Sequence, residues 1–175
     1  MEQIEPLKEL NERAVGDRFI EWFNAQHGLS YSFSRRAGEA PDLVYALPDA
    51  GELFIEVTSA YYGEEYAKFI WGGVRGSENS SLVSTDAGDL DKKIVLDVVR
   101  AVQKKSMKRY GKHCILVVDI TSFWTSPEVF SNLLKQFPTP ENIFAGIYIH
   151  GRFSIFHVPQ SYCMIPIKLY EPITN

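Results

Sequence analysis

Length, composition and charge point to one globular domain over residues 1–175. The chain is 45% hydrophobic and 13% aromatic, which is enough for one substantial core and too little for two full domains. The formal net charge of −4 gives the molecule no overall positive field, so a nucleic acid or an anionic surface could be bound only by a local basic patch. No apolar run approaches the length of about 18 residues that a membrane helix needs. Two distant cysteines and a charged N-terminus favour a reducing, cytoplasmic setting.

The first half of the chain predicts one helix followed by three strands. Apolar residues at three- and four-residue steps indicate an amphipathic helix over residues 6–26. Strand-forming residues then concentrate in three short runs, residues 31–34, 42–47 and 52–58. The turn chemistry of residues 48–51 predicts that the last two strands are antiparallel neighbours. Residues 61–88 are rich in glycine and serine and predict a loop or lid, with a helical turn near residues 64–70.

The second half of the chain predicts a helix, a strand and a second, short helix. A stripe of valine and isoleucine indicates a helix over residues 89–110, which Gly111 ends. Residues 114–120 form a continuous apolar run, typical of a strand buried on both faces. Ser126 as N-cap and Pro127 at the first position begin a short helix that ends near residue 136.

The chain should end in a β-hairpin. Its strands are predicted at residues 143–149 and 153–158, with the turn at residues 150–152, and the tail after Pro159 should lie along the surface. The complete order of elements describes a single-domain α/β protein with a mixed β-sheet flanked by helices on both faces.

Two carboxylates fall on neighbouring strands of the first predicted hairpin. Asp42 follows Pro41 at the start of one strand, and Glu56 stands near the end of the next. Glu56 and Thr58 are two residues apart and therefore point to the same face. Paired carboxylates suit Mg²⁺ or Mn²⁺. Two other readings stay open: Asp42 caps a turn, or Glu56 pairs with a lysine or arginine at the sheet edge.

The Pro41-Asp42 and Glu56-Val57-Thr58 elements, on the second and third strands after a helix, resemble the PD-(D/E)xK nuclease superfamily. The resemblance covers about residues 8–121 and implies a restriction-endonuclease-like core of order αβββαβ. It implies a metal-dependent nuclease that hydrolyses nucleic-acid phosphodiester bonds, with Asp42 and Glu56 as catalytic metal ligands and Mg²⁺ or Mn²⁺ as cofactor.

An acid from the first helix often completes the site in that superfamily. Glu12 is the candidate for this catalytic and metal-binding role, because Val15 and Phe19 follow it on one helical face. Asp17 and Glu21 are alternatives that stay open.

Thr58 stands where the superfamily has the lysine that positions or polarises the attacking water. We expect Lys105 to replace it, because Lys105 extends the Val98 and Val102 stripe that should face the sheet. The other reading is that Lys105 extends from the helix end to water. If nothing replaces the lysine, the alternative function is a catalytically silent nuclease-fold binding or assembly module.

A local basic patch is predicted from two segments. Residues 100–112 contain six basic residues and no acid, and Arg35-Arg36 precedes the predicted site. We expect Arg35, Arg36, Lys104 and Lys108 to contact phosphates, although the second segment also suits a solvated helix end. Nucleic acid is thus the expected partner, no membrane is expected, and a homodimer is left open.

Overall fold

A six-stranded sheet organises the part of the chain that the structure describes. The structure, a computed structural model, describes residues 7–38, 40–48, 51–60, 87–123, 125–153 and 162–170. These ranges contain the helices α1 (Leu7–His27), α2 (Ala87–Ser106) and α3 (Pro127–Leu134). The strands are β1 (Ser32–Arg36), β2 (Leu43–Leu47), β3 (Gly51–Ser59), β4 (Cys114–Phe123), β5 (Gly146–Phe153) and β6 (Tyr162–Lys168). The predicted loop and helical turn between residues 61 and 86 lie outside the described residues.

The sheet is open and mixed, with the strand order β1-β2-β3-β4-β5-β6. The first three strands form an antiparallel meander, β3, β4 and β5 are parallel, and β6 returns antiparallel to β5. The predicted antiparallel pairing of β2 with β3 is therefore confirmed. Parallel β3 and β4 require a crossover, and α2 lies in that connection.

Helices cover both faces of the sheet, as the order of elements predicts. On one face α1 packs Val15, Phe19 and Phe23 against side chains of β2, β3 and β4 such as Ile55. On the other face α2 and α3 pack against the alternate side chains of β4 and β5, such as Leu116. Neighbouring strand residues point to opposite faces, so one strand contributes to both cores.

Strand β4 runs through the centre of the fold. Every residue from Cys114 to Ile120 is buried, which confirms the prediction of a strand covered on both faces. Ile115 and Val117 face α1, whereas Leu116 and Val118 face α2. The helix after it is confirmed as well, since the Ser126 side chain caps α3 by accepting from the Val129 N–H, with Pro127 at the helix start.

Helix α2 ends at Ser106, about one turn before the predicted end near Tyr110. The Ser106 hydroxyl donates to the Val102 carbonyl, one of the local bonds by which serine competes with the helical backbone. Lys108 and Tyr110 consequently lie in the loop before β4 and not on the helix. The Tyr110 ring packs against Phe144, with ring centroids 5.4 Å apart.

The predicted turn at residues 150–152 is wrong, because these residues belong to strand β5. His150, Gly151 and Arg152 pair with Met164, Cys163 and Tyr162 of β6. Gly151 serves close packing instead of a turn: a Cβ there would lie 2.8 Å from atoms of Ile120 and Phe123.

The prediction that the tail after Pro159 lies along the surface is also wrong. Residues Tyr162–Lys168 form β6, which is one edge of the sheet. Residues 154–161, which contain most of the predicted second strand, lie outside the described residues.

Both edge strands depart from ideal pairing. The register between β1 and β2 shifts between Phe33 and Arg35, and β6 carries Pro166, whose nitrogen has no hydrogen to donate. Among the helices of the described ranges, none combines the length and the apolar character needed to span a bilayer.

Gly16 allows α1 to approach β2 closely, which yields a stability prediction. A Cβ at Gly16 would overlap the Leu43 side chain and lie 2.7 Å from the Tyr45 hydroxyl oxygen, which is itself bonded to Asp17. Overpacking of this kind costs about 1–3 kcal/mol, more than the helix propensity that alanine adds. We therefore expect Gly16→Ala to lower the free energy of unfolding, measured by urea denaturation.

Gly111→Ala is the matched control, because a Cβ at Gly111 would meet no atom within 4 Å. A Gly16→Ala protein as stable as the wild type would show that α1 does not pack this tightly on β2.

Candidate functional site

Asp42 and Glu56 lie close together, Asp42 directly before β2 and Glu56 within β3. Leu43 of β2 pairs with Ile55 of β3, and both side chains pack on the α1 face. Glu56 follows Ile55 in β3 and therefore points to the α2 face, and Asp42 directly precedes β2. The Val57 N–H donates to Asp42 Oδ2 at 2.8 Å, which anchors the Asp42 side chain to β3. The sheet thus brings together the two carboxylates that the motif singled out.

Helix α2 brings Lys105 to the same place. The Val98 and Val102 stripe packs on the sheet, and Lys105 continues it by one turn. Lys105 Nζ lies 2.5 Å from Glu56 Oε1, and the two side chains are 17% and 2% exposed. Lys105 thus faces the sheet, as its spacing predicts, and does not extend to water.

Tyr110 is a fourth member of the cluster, and the sequence pattern gave no indication of it. Its hydroxyl donates to Glu56 Oε1 at 3.2 Å. Glu56 Oε2, by contrast, is buried and has no hydrogen-bond partner within the described ranges. Tyr110 follows α2 in an irregular loop, so no periodicity in the sequence relates it to Glu56.

Burial dominates the electrostatics of the cluster. Desolvation raises the pKa of Glu56, the hydrogen bond from Lys105 opposes that rise, and the Asp42 charge adds to it. Burial, followed by the charges of Glu56 and Asp42, raises the pKa of the nearby Cys114 thiol to about 12. Cys114 is therefore a neutral thiol near pH 7, the less nucleophilic form of a cysteine.

The oxygen atoms of the cluster suit a hard divalent cation. Mg²⁺ is commonly bound by one or two carboxylates, with water and substrate phosphates completing its coordination. Glu56 Oε2 is an unpaired carboxylate oxygen, and the Asp42 carboxylate is close enough for its charge to act on Glu56. The described residues contain no group of three His, Cys, Asp or Glu side chains arranged around a metal, so within them these two carboxylates are the candidate ligands.

Glu12 contacts basic residues in the structure. Its carboxylate lies 3.4 Å from Lys8 Nζ and 3.6 Å from Arg36 Nη1. Helix α1 covers the face of the sheet opposite to Glu56. Of the two alternatives, Asp17 accepts from Arg13 and from the Tyr45 hydroxyl, both at 2.8 Å, and Glu21 is exposed. A third ligand from α1 thus stays a prediction.

The two predicted basic segments differ in how their charges are balanced. Arg35 forms a bidentate ion pair with Glu52, and Arg36 lies within 4 Å of the Glu9 and Glu12 carboxylates. Lys104 and Lys108 are exposed, and no ion pair is found for either among the described residues. Lys104 and Lys108 near the end of α2 are therefore cations without an acidic partner among the described residues. The arginines of β1, by contrast, are balanced by acidic side chains.

An open groove of about 790 Å³ lies beside this charge, lined by residues 106–113 and Ile143. Its exposed cations are Lys108, Arg109 and Lys112. Tyr110 belongs to the same lining and bonds to Glu56, so one loop forms the groove and contacts the carboxylate cluster.

A second buried polar pair lies on the α1 face of the sheet. His150 Nδ1 lies 2.6 Å from Asp119 Oδ1, and Asn11 donates to Asp119 Oδ2 at 3.4 Å. The His150 ring stacks on Tyr162, and His150 Nε2 is buried without a partner in the described part of the chain. The sequence pattern placed His150 in a turn and gave no indication of this pair.

The buried ion pair yields a prediction about stability and pH. Lys105→Met leaves Glu56 in the core without its cation, and losing one partner of a buried pair costs about 3 kcal/mol or more. A carboxyl group with a raised pKa in the folded state makes folding less favourable as the pH rises through that pKa. The loss in unfolding free energy should therefore be largest above the raised pKa of Glu56 and shrink as the pH falls through that pKa, because Glu56 then takes up a proton.

Denaturation of Lys105→Met at several pH values measures this effect, with the exposed Lys92→Met as control. In the double variant Glu56→Gln/Lys105→Met the pH dependence of the loss should disappear. A loss that does not vary with pH would contradict the assignment of the penalty to the Glu56 charge.

Comparison with known proteins assigns neither a family nor a site residue to the chain. The chain matches no protein-family model, no curated protein and no solved structure. The candidate site accordingly rests on the contacts of Asp42, Glu56, Lys105 and Tyr110.

Proposed function

We propose that the protein is a metal-dependent nuclease that hydrolyses phosphodiester bonds in nucleic acid. The observation that carries the proposal is the 2.5 Å contact of Lys105 with Glu56, in the neighbourhood of Asp42. Two carboxylates and a lysine are the side chains that the PD-(D/E)xK resemblance requires. Here the lysine comes from α2 and takes the place of the one missing at Thr58.

The topology supports the same proposal. The first helix is followed by an antiparallel meander of three strands, then by α2 and by a fourth strand parallel to β3. This is the order αβββαβ that the resemblance implies, so we propose a restriction-endonuclease-like core. Strands β5 and β6 and helix α3 extend it.

Asp42 and the free Oε2 of Glu56 would hold Mg²⁺ or Mn²⁺. Such an ion supplies positive charge that polarises a phosphate and lowers the pKa of bound water. Lys105 adds a second positive charge beside the carboxylates, where it orients the reacting groups and stabilises negative charge that develops on the phosphate. The burial of Glu56 and Lys105 strengthens both effects, because charges interact more strongly away from bulk water.

The groove beside Tyr110 is the proposed path of the nucleic acid. Lys108, Arg109 and Lys112 are exposed on its wall and are suited to contact successive phosphates. Arg35 and Arg36 contribute less in this proposal, because acidic neighbours already balance their charges.

The alternative function is a catalytically silent nuclease-fold module for binding or assembly. It is favoured by the fact that Glu56 Oε1 already accepts from both Lys105 and Tyr110, as a purely structural carboxylate would. Metal binding distinguishes the two functions, since a silent module does not need an ion at Asp42 and Glu56.

The nuclease proposal predicts distinct effects for the three site residues. Asp42→Asn and Glu56→Gln should abolish both Mn²⁺ binding, measured by calorimetry, and nucleic-acid cleavage, because each removes a ligand charge. Lys105→Met should lower the cleavage rate by about 100-fold or more while the Mn²⁺ affinity changes little, because the lysine acts mainly in the transition state. Assays are run under conditions in which circular dichroism shows each variant folded.

Two further variants sharpen this test. Lys92→Met removes an exposed lysine at the other end of α2 and should leave cleavage unchanged. Thr58→Lys rebuilds the motif on the face that carries Glu56, so it should partly restore cleavage to Lys105→Met. Full cleavage by Lys105→Met, or wild-type protein that binds no Mn²⁺, would contradict the proposal and favour the silent module.

The groove yields a separate prediction about nucleic-acid affinity. Replacing Lys108, Arg109 and Lys112 together by glutamine should weaken binding and reduce the slope of log affinity against log salt by about one for each phosphate that the protein no longer neutralises. Fluorescence anisotropy with a labelled oligonucleotide at several salt concentrations measures both quantities.

The matched control removes three cations that already have acidic partners, in the variant Lys8→Gln/Arg35→Gln/Lys92→Gln. It loses the same net charge and should keep a nearly unchanged slope. Equal effects of the two triple variants would show that net charge, and not the groove, determines binding.

A further inference from the structure

Tyr110 is fixed at its ring end and polar at its other end. The ring packs at 5.4 Å against Phe144, which is fully buried, so the side chain has little freedom. Its hydroxyl group donates to Glu56 Oε1 at 3.2 Å from the side of the groove. Tyr110 therefore approaches Glu56 from the loop, whereas Lys105 approaches it from helix α2.

Both donors contact the same oxygen atom of Glu56. Lys105 Nζ at 2.5 Å and the Tyr110 hydroxyl at 3.2 Å share Oε1, and Oε2 accepts from none of the described residues. The two oxygens of a carboxylate are equivalent, so these donors do not select one of them; they fix the plane of the group, with one oxygen towards both donors and the other left without a partner among the described residues. Hydrogen bonds to charged groups contribute about 1.5–3 kcal/mol each, so turning the carboxylate out of this plane is strongly disfavoured.

We propose that Tyr110 is a positioning residue that holds the Glu56 carboxylate with Oε2 directed to the metal ion. This inference rests on the proposed nuclease function and adds a residue to it. In this role Tyr110 acts through Glu56 and not on the reacting phosphate or the ion. Residues that orient metal ligands in this way typically contribute about 10- to 100-fold to metal affinity or activity.

The test is Tyr110→Phe, which removes the hydroxyl group and keeps the ring against Phe144. Its Mn²⁺ affinity, measured by calorimetry, should fall by about tenfold or more. In cleavage assays at saturating Mn²⁺, the KM for an oligonucleotide should stay near the wild-type value, because the groove cations are retained, while kcat falls.

Tyr148→Phe is the matched control. Tyr148 is buried, and its hydroxyl oxygen accepts from the Tyr170 N–H on the α1 face of the sheet, away from Glu56. This variant loses a buried hydroxyl group and a hydrogen bond, so its unfolding free energy should fall, but its Mn²⁺ affinity should not.

The outcomes separate this inference from the function on which it rests. If Asp42→Asn abolishes Mn²⁺ binding and Tyr110→Phe binds like the wild type, the role of Tyr110 is wrong and the nuclease proposal stands. If Tyr148→Phe lowers Mn²⁺ affinity as much as Tyr110→Phe does, the effect is general destabilisation and the role is again wrong. Wild-type protein that binds no Mn²⁺ overturns both.

Discussion

The carboxylate of Glu56 lies inside the protein, and much of the surrounding structure follows from the need to balance its charge. Removing a carboxylate from water costs several kcal/mol even after the protein relaxes, unless a cation and hydrogen-bond donors replace the water. Lys105 supplies the cation at 2.5 Å. For Lys105 to reach Glu56, α2 must present the face that carries Val98 and Val102 to the sheet. The helix must also extend about one turn beyond these two residues. The loop after Ser106 must then return to the sheet, so that Tyr110 reaches the same oxygen atom.

Elements with a regular hydrophobic pattern could be predicted from the sequence, because local spacing determines which face of a helix or strand is buried. The apolar run 114–120 identified the central strand, and the α2 stripe placed Lys105 against the sheet at the position the structure gives it. The Pro41-Asp42 and Glu56-Val57-Thr58 elements identified two carboxylates that the structure brings close together. The catalytic role of these residues stays a prediction.

Contacts between residues far apart in sequence could not be predicted in this way. Arg35 and Arg36 count as basic residues in a sequence, but only the fold shows that Glu52, Glu9 and Glu12 balance them. His150 followed by glycine has the composition of a turn, yet its bond to Asp119 and its pairing with β6 keep it within a strand. Tyr110 lies 54 residues from Glu56 in a segment without periodicity, so its contact depends on where α2 ends.

The two edges of the open sheet affect how molecules meet one another. An edge strand exposes unpaired backbone groups, and another chain can add to it as a further strand unless its geometry or chemistry prevents this. At the β1 edge, the irregular register and the charged Arg35 disfavour the addition of a further strand. At the β6 edge, Pro166 has no backbone N–H and interrupts the row of hydrogen-bond donors. Both edges of the described sheet are thus poor templates for β-strand addition, even though the sheet does not close on itself.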